Sequence, residues 1–152
     1  QLSQIANNIG PGLKRAAALN FLEQARSLVG PSLEAQSLEE MQALLEIARA
    51  FSRYDVKRSF EIIDPLIEQF NALSLAARTL DGFGQNYYDD DELDLQNSSP
   101  VAIVATQISS VLGHLGIVSF DRAKAMTEKI RAPEVRLKAY LQIAQQTIQA
   151  GR

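Results

Sequence analysis

The sequence predicts an all-α fold, and three observations carry that reading. Apolar residues recur at three- and four-residue spacing through most of the chain. Helix caps and helix stops punctuate those stretches. A proline-led segment returns in altered form at an offset of 68 residues.

Residues 2–9 read as two helical turns, stopped by Gly10-Pro11-Gly12. Residues 13–29 form the next helix, with Leu13, Ala16, Ala17, Leu19, Phe21, Leu22, Ala25, Leu28 and Val29 as a broad apolar stripe. Gly30-Pro31 ends it. Ser37-Leu38-Glu39-Glu40 is a capping box, in which the Ser37 hydroxyl accepts the Glu40 amide and the Glu40 carboxylate returns the bond. The helix behind it carries Met41, Leu44, Leu45, Ile47, Ala48 and Phe51 on one side. On its polar side Glu46 and Arg49 are spaced to pair.

Asp55 is a good N-cap for residues 56–63. Asp64-Pro65 then interrupts, and residues 65–80 are expected as a new helix, capped by Asp64 with Pro65 in its first turn. Its inward set is Leu66, Ile67, Phe70, Leu73, Ala76, Ala77 and Leu80. One kinked helix over residues 56–80 is the competing reading. Residues 81–100 break the periodicity and read as an acidic loop insertion, either functional or mobile. Residues 101–118 resume as a helix, where Gly113 and Gly116 either weaken the end or admit a close neighbour. Residues 119–148 hold two more helices, opened by Phe120-Asp121 and by Pro133-Glu134-Val135-Arg136.

The recurrence aligns Pro65 with Pro133, Leu73 with Leu141, Ala76 with Ala144 and Thr79 with Thr147. Tyr54-Asp55 corresponds to Phe120-Asp121, and Leu45-Glu46-Ile47-Ala48 gives a third copy of the helix core. The small alanine is expected at a close helix contact, with Leu and Ile filling the interface. A unit of this kind buries its apolar face only by stacking on neighbours. A bundle whose helices share packing demands is the plainer alternative.

The stretch from Phe120-Asp121-Arg122-Ala123-Lys124-Ala125 through Pro133-Glu134-Val135-Arg136-Leu137-Lys138-Ala139-Tyr140-Leu141-Gln142-Ile143-Ala144 resembles bacterial helical repeats related to tetratricopeptide repeats. Residues 44–148 also resemble an uncharacterised bacterial helical-repeat family, through Arg53-Tyr54-Asp55, Asp81-Gly82-Phe83-Gly84 and Pro133-Glu134-Val135-Arg136. The insertion at residues 81–100 and the irregular spacing depart from a regular array. The resemblance implies a scaffold or binding module and brings no catalytic residues.

Composition narrows the classes. With 152 residues, 46% hydrophobic and 22% charged, the chain suits one helical domain over residues 1–152 with a sizeable core. It begins at Gln1 rather than Met, which is expected of a processed chain or of the C-terminal part of a longer protein. Cytoplasmic and exported settings both remain open. A net charge of -3 argues against nucleic acid as partner. Cysteine is absent, so disulfides and thiolate chemistry are excluded. No apolar run is expected to approach the roughly 18 residues that span a bilayer.

His114 is the only histidine and has no metal ligand beside it in sequence. No phosphate loop, nucleophile motif or zinc spacing occurs, and the expectation is a non-enzymatic chain without cofactor or metal. Asp89, Asp90, Asp91, Glu92 and Asp94 are the one concentrated set of carboxylates. They read as a solvated, self-repelling face, with calcium or a basic protein partner as competing roles. Tyr87 and Tyr88 either anchor the loop on the helices or join the partner-facing patch. The functional expectation is a helical-repeat scaffold that binds a protein or peptide. The alternative is a subunit that self-associates through an uncapped terminal helix into a larger assembly or filament.

Overall fold

Side-chain caps explain where the helices begin. Ser37 Oγ accepts Glu40 N–H at 3.1 Å, Asp55 Oδ1 accepts Arg58 N–H at 3.1 Å, and Ser99 Oγ accepts Ala102 N–H at 3.2 Å. Glu40 returns its bond one residue early, to Gln36 N–H at 2.7 Å. The computed structural model describes residues 11–29 and 34–151, and in them six helices follow. They are α1 (Pro11–Val29), α2 (Leu38–Phe51), α3 (Val56–Leu80), α4 (Pro100–Val118), α5 (Phe120–Glu128) and α6 (Pro133–Ala150). Between α3 and α4 two short strands, β1 (Tyr88–Asp89) and β2 (Glu92–Leu93), pair antiparallel. The architecture is an all-α helical bundle carrying one small hairpin. The turns expected over residues 2–9 and the stop at Gly30-Pro31 lie outside the described residues.

The core is filled by Phe51, Phe60 and Phe70 with Leu and Ile from α2, α3 and α4, all fully buried. Contacts near both ends of α2 and α3 show that these helices run antiparallel. Ser59 Oγ donates to Ala48 O at 2.7 Å, and Gln69 Nε2 donates to Ala35 O at 3.0 Å. Glu46 and Arg49 do not pair as expected; Glu46 Oε1 instead accepts from Gln107 Nε2 of α4 at 3.5 Å.

α4 and α6 form the most intimate pair. A Cβ placed on Gly113 would lie 3.1 Å from Gln142 Cβ, and one on Gly116 would lie 2.7 Å from Ile143 Cγ2. The two glycines therefore serve close approach, one of the two roles considered for them. The order of contacts, Thr106 with Lys138, then Gly113 with Gln142 and Gly116 with Ile143, makes α4 and α6 run in the same sense. α5 supplies the reversal between them. α4 also qualifies the expectation about apolar runs. It has 19 residues with mean hydropathy 1.8, long and apolar enough to cross a membrane. Its window is 61% buried inside the bundle, as befits a core helix.

Pro65 does not open a helix. It sits inside α3, which continues unbroken from Val56 to Leu80, whereas Pro133 does occupy the first turn of α6. Proline cannot donate to the carbonyl four residues back. Burial of Ile62, Ile63, Leu66 and Ile67 around it offsets that loss. The 68-residue offset thus pairs residues in different settings. Leu45, Ile47 and Ala48 are buried, whereas Leu75, Ala76, Leu141 and Ala144 are exposed. In the expected inward set of α3, Ala76 and Leu80 also face solvent. Ala144 is not at a helix contact; Ala139, Ile143 and Gly116 fill that role. Pro65→Ala should raise the unfolding free energy by about 1–2 kcal/mol, and with it the denaturation midpoint, because alanine restores the missing donor. A lowered midpoint would mean that the packing of α3 is built on a proline-dependent bend.

Candidate functional site

The segment after α3 is ordered by a turn and a set of brackets. Gly82 and Gly84 take φ of 81° and 106°, where a side chain would be strained. Gly82 N–H donates to Gln85 O at 3.1 Å, closing the turn. Asp81 Oδ1 accepts both the Tyr87 and the Tyr88 amide, so the Asp-Gly-Phe-Gly stretch is a structural bracket.

The acidic residues expected as a loop form a hairpin. Tyr88 faces Leu93 and Asp89 faces Glu92, leaving Asp90 and Asp91 as a two-residue turn. Their φ values of 47° and 66° are those of the mirror-image turn that suits strand twist. Asparagine and glycine usually fill it; aspartate tolerates it with some strain. The Asp89–Glu92 pair sets like charges directly opposite, which is destabilising.

Packing holds this unfavourable tip in place. Leu93 is 2% exposed in the core, and its amide donates to Glu134 Oε1 of α6 at 2.9 Å. The Tyr88 hydroxyl lies 2.9 Å from Ser74 O and 3.0 Å from Ser74 Oγ on α3. Arg78 stacks 5.4 Å from the Tyr88 ring centroid and reaches Asp91 Oδ1 at 3.2 Å. Asp94 N–H donates to Tyr87 O at 2.9 Å, extending the hairpin inward.

Asp89, Asp90, Asp91 and Glu92 are exposed and share one tip, while Asp94 is half-buried and caps Gln96 N–H at 2.8 Å. Tyr87 and Tyr88 are half-buried against the core, the anchoring role. Beneath the tip, between α3 and the start of α6, lies a cleft of about 170 Å³. Asn71, Ser74, Arg78, Arg131 and Glu134 are among its lining residues. Sequence reasoning missed Arg78 as the counter-charge, together with Ser74 and Glu134. The available signal for Arg78 was that it is the last base before the stretch of residues 79–121, which has none.

Among the described residues, no group of three His, Asp or Glu side chains is placed to hold a metal ion. His114 is half-buried in α4 with Nδ1 2.8 Å from Ser110 O. No protein-family model matches the chain, and searches of curated proteins and of solved structures returned no match.

Proposed function

We propose that the chain is a non-enzymatic helical scaffold that binds a basic protein or peptide through the acidic hairpin. The observation that carries this reading is the ordered tip at Asp89, Asp90, Asp91 and Glu92. It combines a like-charge cross-strand pair with two non-glycine residues at positive φ. Each feature costs stability, and local rules broken together are a mark of functional surfaces. Exposed carboxylates of one sign steer and orient a basic partner more than they add affinity. The likeness of residues 120–144 to tetratricopeptide-related repeats supports the same reading, with the helical pairs as a short, irregular solenoid.

Comparative affinity capture from the native source tests it. The bait pair is the native chain and a variant with Asp89→Asn, Asp90→Asn, Asp91→Asn and Glu92→Gln. A partner enriched at least tenfold on the native bait, and lost on the variant, is the expected result. Equal recovery on both baits would remove the hairpin as the binding face.

A second reading, a self-associating subunit, is favoured by exposed apolar residues on α1 and α6. Leu137, Leu141 and Ile148 on α6, and Leu13, Phe21 and Leu28 on α1, are all exposed. Light scattering over a concentration series separates the two, since the scaffold reading requires a constant monomer mass.

A further inference from the structure

We draw no further inference here: the strongest candidate, the cleft beneath the hairpin between α3 and the start of α6, belongs to the site already described, and its lining sets Arg78 and Arg131 against Asp91 and Glu134, so its charge selects no ligand.

Discussion

Gly116→Val should lower the stability of the protein by about 3 kcal/mol, at the upper end of what overpacking costs. The cause is the α4–α6 contact. A Cβ at residue 116 falls 2.7 Å from Ile143 Cγ2 and 3.3 Å from Ile143 Cβ and Cγ1. Ile143 is β-branched, 2% exposed and enclosed, so it has little freedom to turn away. Valine adds two methyl groups to the same clash. Gly116→Ala should cost less, since alanine regains about 1 kcal/mol of helix propensity. Ile143→Leu removes the offending Cγ2 methyl, so Gly116→Ala with Ile143→Leu should lose less than the sum of the two. Urea unfolding measures all four. An unchanged midpoint for Gly116→Val would mean that α4 and α6 do not pack as closely as described.

Asn71→Leu should cost about 2–4 kcal/mol, through stranded backbone groups rather than lost volume. Asn71 is 5% exposed on α3, and its amide reads the chain between α5 and α6 from both sides. Nδ2 donates to Lys129 O at 2.9 Å, and Oδ1 accepts Arg131 N–H at 2.9 Å. Leucine fills the space and satisfies neither. Asn71→Asp keeps the acceptor but turns a carboxylate toward Lys129 O, so it should rescue little. The nearby Lys129–Asp64 ion pair is exposed on both sides and should matter far less. An Asn71→Leu variant with the native midpoint would show that the α5–α6 connection is held by helix packing alone.

Much of the bundle was legible because local chemistry and burial agree there. Ser37 and Asp55 mark boundaries that the helices respect, and the α2 stripe from Met41 to Phe51 is buried as its period demands. Pro65 misled because proline at a helix start and proline inside a well-packed helix look alike in sequence. Ala144 misled for a different reason. α6 is apolar on two sides, with Val135, Ala139 and Ile143 inside and Leu137, Leu141, Ala144 and Ile148 outside. Periodicity alone does not say which stripe meets a neighbour, and only the glycines of α4 mark the true contact.

The candidate site was legible in composition and not in form. Five carboxylates in residues 89–94 drew attention to the segment. Two-residue strands are too short to show alternation, and Asp90-Asp91 lacks the glycine that normally signals this turn. The brackets that order it come from Ser74, Arg78 and Glu134, distant in sequence and ordinary in type.

The functional account depends on the hairpin being a fixed acidic face rather than a mobile loop. Backbone ¹⁵N relaxation of the free protein measures this directly. Tyr88, Asp89, Glu92 and Leu93 should give order parameters of about 0.8 or more, matching the helices. Values below about 0.6 across these residues, with rigid helices on either side, would contradict it.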